Sequence, residues 1–219
     1  MRTPWLSALA CLSLWAGDVQ AETDNELWTS ASISARVSEV VRVKTEMEAR
    51  YDNNASELER LAPGAEISLR PAAWSPQLDV GAKALSERSK SGDREPTNRL
   101  YLQLEHGLEL GRVEVDYRLR FQHDNELDED EPDLRLRNRV SAKLSTQTRL
   151  SPMVSAELFT DPVAEPIEQK KVRLATGSGI KLTKQHRLKL RLQFQTALDG
   201  DDETERIVSI DYRFRFPDK

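Results

Sequence analysis

The chain has 219 residues, of which 38% are hydrophobic and 32% are charged, and its formal net charge is −5. This acidic, mixed-sign composition gives no basis for nucleic-acid binding, which calls for a basic surface. A chain so poor in hydrophobic residues is often disordered, but a regular alternation of apolar and charged residues argues against disorder here. The only cysteine is Cys11, so no disulfide is expected in the remainder of the chain.

Residues 1–21 have the layout of a secretory signal peptide. Arg2 is a short basic start, residues 5–16 form an apolar run, and Val19 and Ala21 occupy the −3 and −1 positions of a cleavage site. The apolar run is too short for a membrane-spanning helix, which takes about 20 residues. We therefore predict cleavage after Ala21, followed by a single β-barrel domain over residues 22–219.

Eleven segments after the signal alternate apolar and polar side chains, as a strand with two different faces does. Residues 112–122 show the pattern most clearly, because apolar side chains fill every odd position and polar ones every even position. In chain order the candidate strands are residues 27–37, 41–51, 65–73, 78–85, 100–110, 112–122, 134–144, 150–160, 171–182, 187–195 and 205–216.

The predicted connections differ in length. Long polar loops are expected at residues 52–64, 86–96, 123–132, 161–169 and 199–204, and short turns at the other joints. Within the first of these loops, residues 57–61 fit one helical turn that Pro63 and Gly64 would end.

This layout predicts an all-β fold, a closed antiparallel up-and-down transmembrane β-barrel of about 10–12 strands. Short turns at one end with longer loops at the other are typical of such barrels. About 9–11 residues suffice for a tilted strand to cross the membrane, and closure leaves no exposed edge. Because bacterial single-chain barrels usually have an even strand number, we expect twelve strands, or else ten, rather than the eleven counted.

In a membrane barrel the apolar faces meet lipid and the charged faces line the lumen. Acidic residues on the charged faces also include Glu46, Glu48, Glu105 and Glu109. Such charges either pair into a network that fills the lumen without a ligand, or form a basic wall that selects anions. The predicted lumen-facing charges are Glu114, Asp116, Arg118, Arg120, Arg135, Arg137, Arg139, Lys189, Arg191, Asp211, Arg213 and Arg215.

The sequence shows no pattern that indicates catalysis. His106, His123 and His186 lie in different segments and have no second ligand at metal-binding spacing. No histidine lies close to a serine in a compact motif, as a nucleophilic site would suggest. We therefore predict no catalytic residue, no cofactor and no metal.

The last strand resembles the C-terminal signature of bacterial outer-membrane barrels, in which alternating apolar residues end in an aromatic one. Here Tyr212, Phe214 and Phe216 carry that pattern, and three further residues follow. The whole mature chain also resembles an uncharacterised bacterial group of outer-membrane barrels, a domain-of-unknown-function group. The motifs that carry this likeness are Leu27-Trp28-Thr29, Glu48-Ala49-Arg50-Tyr51, Arg137-Asn138-Arg139, Glu157-Leu158-Phe159 and the terminal residues 212–216. The resemblance implies an outer-membrane location and recognition of the last strand by the barrel assembly machinery.

The leading hypothesis is a small outer-membrane β-barrel, either a narrow pore or a structural barrel, with outer-membrane lipid and the assembly machinery as partners. Two alternatives remain open. One is a barrel enzyme that modifies lipid, for which a serine would have to meet a histidine in space, His106 being the candidate. The other is a soluble periplasmic β-barrel or sandwich that binds an apolar ligand in an apolar interior. Alternation by itself does not say which face is inside.

Overall fold

The structure, a computed structural model, describes residues 25–72, 74–89, 92–126, 133–164, 167–198 and 204–217. The predicted signal peptide lies outside the described residues. Within the described residues, no helix is long and apolar enough to cross a membrane. The strands are β1 (Asn25–Arg36), β2 (Val41–Asp52), β3 (Glu57–Leu69), β4 (Gln77–Arg88), β5 (Arg94–Leu110), β6 (Val113–Glu126), β7 (Asp133–Leu144), β8 (Leu150–Asp161), β9 (Glu168–Lys181), β10 (His186–Ala197) and β11 (Thr204–Arg215).

These strands form one closed barrel in which each strand lies beside its neighbours in sequence. All consecutive strands pair antiparallel, and β1 closes the barrel by pairing in parallel with β11. In that closing pair Asn25 lies opposite Arg206 and Ser34 opposite Arg215. The predicted all-β, closed up-and-down barrel is therefore confirmed.

The expectation of an even strand number is wrong, because the described barrel has eleven strands. In an up-and-down barrel with an odd number of strands, the first and last strands run in the same direction. β1 and β11 do so here, and they close the barrel as a parallel pair. The odd number also places Asn25 and Arg215 at opposite ends of the barrel. We call the end at which β1 begins the N-terminal mouth, and the end at which β11 finishes the C-terminal mouth.

The predicted long loop over residues 52–64, with its helical turn, is also wrong. Residues 53–56 alone connect β2 to β3, and three of them have positive φ: Asn53 at 46°, Asn54 at 57° and Ala55 at 63°. Pro63 lies inside β3, where it faces Met47 of β2 and interrupts the ladder to β4 between Leu61 and Gly64. A proline without an N–H is tolerated in a strand at such an interruption.

Other strands extend into segments predicted as loops. β5 begins at Arg94 rather than at residue 100, and β6 continues through His123 to Glu126. The connections at the two mouths are consequently of similar length, four to six residues at the N-terminal mouth and two to seven at the C-terminal mouth. The predicted contrast between long loops and short turns is not found.

The two faces of the wall differ in burial. Large apolar side chains are exposed on the outer face, for example Leu102 at 49%, Val140 at 51% and Leu174 at 54%. Polar side chains are buried on the inner face, among them Asp79 and Gln122 at 1% each. The interior is therefore polar, which does not fit the alternative of an apolar ligand held in an apolar interior.

Candidate functional site: the charged lumen

The twelve charges predicted for the lumen lie on four strands, β6, β7, β10 and β11. Arg118 is buried, whereas Arg135 and Arg213 are exposed near the N-terminal and C-terminal mouths respectively. The rest are half-buried: Glu114, Asp116, Arg120, Arg137, Arg139, Lys189, Arg191, Asp211 and Arg215. Cross-strand register brings two pairs of like charge face to face on β6 and β7, Arg118 with Arg139 and Arg120 with Arg137.

A single carboxylate on β8, Glu157, holds several of these arginines. Its Oε1 accepts hydrogen bonds from Arg118 and from Arg137, whose Nη2 lies at 2.9 Å. Its Oε2 lies 3.7 Å from Nη1 of Arg173. Register explains the meeting, because Glu157 lies opposite Arg139 on one side and Arg173 on the other. Buried charges such as these are compatible with a stable fold only while each is paired with an opposite charge.

Glutamine side chains accept hydrogen bonds from two arginines of the lumen, Arg120 and Arg173. Gln103 Oε1 accepts from Nε of Arg120 at 2.9 Å and from Nη2 of the same residue at 2.6 Å. Gln195 Oε1 accepts from Nε of Arg173 at 2.9 Å. An amide oxygen satisfies a guanidinium donor without cancelling its charge, so the positive charge of this wall persists.

Aromatic rings on the inner face stack against the same guanidinium groups. Arg50 lies 3.8 Å from the centre of the Trp28 ring, and Arg173 lies 4.7 Å from it. Arg173 also lies 4.8 Å from the ring centre of Phe159, over which Arg137 packs at 4.7 Å. Arginine over an aromatic face gains electrostatic attraction and covers apolar surface. Trp28 thereby links β2 to β9 through the interior.

The wall formed by β2, β3 and β4 is richer in carboxylates. Nζ of Lys83 lies 2.5 Å from Glu46 and 2.9 Å from Glu48. Nζ of Lys44 bridges Glu46 at 3.3 Å and Glu66 at 3.1 Å. Tyr101 of β5 donates its hydroxyl to Glu66 at 2.8 Å. Both lysines are therefore shared between two carboxylates.

Gly81 of β4 makes room for one of these large side chains. A Cβ atom at this position would lie 2.2 Å from Cζ of Tyr101, so any other residue would displace the ring. Arg120 in turn lies 4.2 Å from the centre of the Tyr101 ring. Small residues beside large ones thus let the side chains of adjacent strands fill the barrel.

A bidentate ion pair lies closer to the N-terminal mouth. Nε and Nη2 of Arg99 donate to the two carboxylate oxygens of Asp124, both at 2.7 Å. Gln122 donates to the same carboxylate at 3.0 Å. Asp124 falls in the segment predicted as an acidic loop, and sequence reasoning missed its role because the strand was expected to end before it.

The lumen is packed at mid-barrel. Ala62 and Ile207 are 0% exposed, and Gln193 and Ser209 are 1% exposed, although they lie on the inner faces of three different strands. Side chains from several strands therefore exclude water from these positions. The interior at this depth is a filled network of ion pairs and hydrogen bonds.

The histidines do not assemble with a nucleophile in the described part of the chain. His106 lies opposite Tyr117 on the outer face, and Nδ1 of His186 makes a hydrogen bond with the Tyr212 hydroxyl. No hydrogen bond joins a histidine to a serine among the described residues. The described residues also contain no group of three or more His, Cys, Asp or Glu side chains that could hold a metal ion.

A closed β-barrel with an apolar outer surface and a packed, charged interior is the class of protein that fold and lumen define. A family model described as "Protein of unknown function (DUF2490)" matches residues 25–205. The chain therefore belongs to this family, in agreement with the predicted membership of a domain-of-unknown-function group. No curated protein matches the chain.

Proposed function

We propose that this chain is an outer-membrane β-barrel of a bacterial envelope, with a structural role that does not require an open pore. The observation that carries this proposal is the orientation of the wall, with large apolar side chains outside and charges inside. Outward side chains such as Leu100 at 57% exposed, Leu192 at 40% and Val208 at 49% would cost free energy in water. In lipid the same surface is favourable, and charges directed inward avoid the hydrocarbon.

The packed lumen favours the structural barrel over the narrow pore. Glu157 and its three arginines lie at mid-barrel, and Lys83 with its two carboxylates lies on another wall. Ions would have to displace these paired side chains to pass. The proposed partners are outer-membrane lipid around the wall and the assembly machinery at β11, whose apolar residues alternate as in the C-terminal signature. The predicted signal peptide would carry the chain across the inner membrane.

The first experiment is fractionation of the native cell envelope, followed by gel electrophoresis with and without boiling. We expect recovery with the outer membrane and a folded band that shifts on boiling, since a barrel with continuous backbone pairing resists detergent. Release of the chain in the periplasmic fraction without detergent would contradict the membrane location.

The second experiment separates the structural barrel from the pore. Refolded protein is added to planar bilayers and the current is recorded after insertion has been verified by protease protection in vesicles. We expect no sustained conductance from the inserted barrel, because side chains fill the lumen. Steady single-channel currents would contradict the structural role while leaving the membrane location intact.

A further inference from the structure

Four cations in the lumen are short of counter-charge. We call Arg118, Arg139, Lys189 and Arg191 the basic basin. The nearest carboxylates are already engaged, including Glu105, which lies opposite Arg118 and accepts a hydrogen bond from Gln103 at 3.2 Å. Glu157 binds Arg118 together with two other arginines, as described above. Asp211 accepts from Nη2 of Arg191 at 2.8 Å and from the Ser30 hydroxyl at 2.8 Å.

The basin cations converge from three strands. Arg118 and Arg139 are directly opposite each other on β6 and β7, an arrangement that is unfavourable for like charges. Arg118 and Arg191 both repel the positive charge of Arg139, and Arg139 and Arg191 repel that of Lys189. Carboxylates offset this repulsion only in part: Glu105, Asp116 and Glu157 attract Arg139, and Asp211 attracts Lys189.

Several donors of the basin have no acceptor. Nε of Arg118, Arg139 and Arg191 is buried in each case and has no hydrogen-bond partner within the described residues. Neither Arg139 nor Lys189 forms a hydrogen bond or close ion pair with any side chain that the structure describes. A buried donor without an acceptor costs about 1–3 kcal/mol, and more when it is charged. An anion between these groups would remove that cost.

Arg191 packs directly against the inner face of β9. Gly177 of β9 lies opposite Arg191, and a Cβ atom there would come 2.1 Å from the Leu190 carbonyl oxygen and 3.0 Å from Arg191 Cγ. On β8 the neighbouring inner positions are Met153, which is the partner of Gly177, and Ser155. Gly177 thereby fixes the position of Arg191 in the basin.

The basin lies towards the C-terminal mouth, where two more arginines stand at the entrance. Arg187 and Arg213 are directly opposite each other on β10 and β11, and both are exposed. Cations at an opening raise the local concentration of anions, and here they act against the opposite charge of Glu109 and Glu114, partners on β5 and β6 at the same mouth. Guanidinium groups in particular match the oxygen atoms of phosphate and carboxylate geometrically.

We propose that the basic basin binds a small divalent oxyanion of the phosphate type. The oxyanion accepts from the free Nε groups and neutralises the charges that Glu157 and Asp211 leave uncompensated. It enters from the C-terminal mouth, either as the free anion or as the phosphate group of a larger solute. This binding site goes beyond the structural role and does not depend on the location of the barrel.

The test is isothermal titration calorimetry of the chain refolded in micelles of an uncharged detergent, at constant ionic strength set with chloride. Inorganic phosphate is expected to bind at one saturable site. Arg139→Gln removes a charge-assisted donor and should weaken binding at least about tenfold, since such a bond is worth about 1.5–3 kcal/mol. Arg135→Gln is the matched control, because Arg135 lies on the same strand but pairs with Asp133 at the other mouth. Its affinity should equal that of the unaltered chain.

Lys189→Gln serves as a second variant should Arg139→Gln fail to fold, with folding of each variant checked by circular dichroism. The absence of saturable phosphate binding by folded protein would overturn the proposal. Undiminished binding by a folded basin variant would overturn it equally. Glycerol phosphate, titrated in parallel, distinguishes the two sources. If it binds with the same affinity as inorganic phosphate, the site accepts the phosphate group of a larger solute. If only inorganic phosphate binds, the ligand is the free anion. Because the titration is carried out in micelles, its outcome is separate from that of the envelope fractionation.

Discussion

Glu157 illustrates how a single side chain stabilises a lumen with many cations. Its exposed fraction is 5%, and it faces Arg118, Arg137 and Arg173 at once. Without its charge, three guanidinium groups would lie close together in a space that water scarcely reaches. The repulsion among them makes this carboxylate more important than its own hydrogen bonds suggest.

We expect Glu157→Gln to destabilise the folded barrel by about 3–5 kcal/mol, the usual cost of removing one partner from a buried charge group. Unfolding by urea in detergent micelles, followed by tryptophan fluorescence, measures the change. Glu114→Gln is the matched control. Glu114 pairs with Lys143 at a side-chain exposure of 33%, and a pair of that kind contributes about 0–1 kcal/mol. Equal losses of stability in the two variants would show that Glu157 has no special role.

Sequence alternation placed the charged residues on one face of each strand but did not indicate their partners. The inner residues of β8 include Ser155 and Phe159 as well as Glu157, so this strand has no conspicuous charged face. The pairing with Arg118 depends on the register of β6, β7 and β8, which alternation within one strand does not specify. The role of Gly81 beside Tyr101 depends on register for the same reason.

The closing pair of strands is the element that distinguishes this barrel from the even-numbered barrels expected from its sequence. β1 and β11 run parallel over ten residue pairs, from Asn25 with Arg206 to Ser34 with Arg215. Parallel ladders are slightly less stable per residue than antiparallel ones. The long overlap compensates by joining the two strands over nearly their whole length.

The closing register is open to a direct cross-linking test. Thr29 and Ile210 are partners on β1 and β11, and residues 22–219 contain no natural cysteine. Thr29→Cys combined with Ile210→Cys should be joined by a short bifunctional thiol reagent, which gives a faster band on a denaturing gel.

The control for that experiment combines Thr29→Cys with Phe216→Cys. These positions lie about 20 Å out of register, since a strand rises about 3.3 Å per residue. A cross-link in the control but not in the paired variant would refute the parallel closure, as would a twelfth strand that separates β1 from β11.

The strand pattern was predictable because eleven segments alternate, and all eleven correspond to observed strands. The ends of the elements were less predictable. Pro63 and Gly64 indicated a stop, yet β3 passes through them, since pairing with β2 on one side compensates for the interrupted ladder to β4. Whether the first and last strands pair in parallel or antiparallel depends on how many strands lie between them. The alternation within any one strand does not indicate that number.

The outer surface of the described barrel exposes large apolar side chains, as the proposed contact with lipid requires. A charge placed on such a wall costs about 2–4 kcal/mol at the bilayer midplane and about 0–1 kcal/mol near the interfaces. Leu102 lies near the middle of β5 and is 49% exposed, while Leu110 ends the same strand and is 65% exposed. The same substitution, leucine to arginine, at these two positions therefore tests whether its cost depends on depth in the bilayer.

We expect Leu102→Arg to reduce insertion into lipid vesicles and to destabilise the inserted barrel by about 2–4 kcal/mol. Leu110→Arg should change both the insertion into vesicles and the stability of the inserted barrel only slightly. Folding efficiency in vesicles, read from the heat-dependent gel shift, measures the difference. A protein surrounded by water would tolerate both substitutions alike, so equal behaviour would contradict the proposed membrane location.

The odd strand number places the start of the first strand and the end of the last strand at opposite mouths, whereas an even-numbered barrel has both at the same mouth. Asn25 lies at one mouth and Arg215 at the other. The two ends of the barrel domain therefore face different compartments whenever the barrel crosses a membrane. The polypeptide must then deliver one of its ends through the bilayer during assembly, rather than threading only its hairpins. Anything attached before β1 would work on one side of the envelope, and anything attached after β11 on the other.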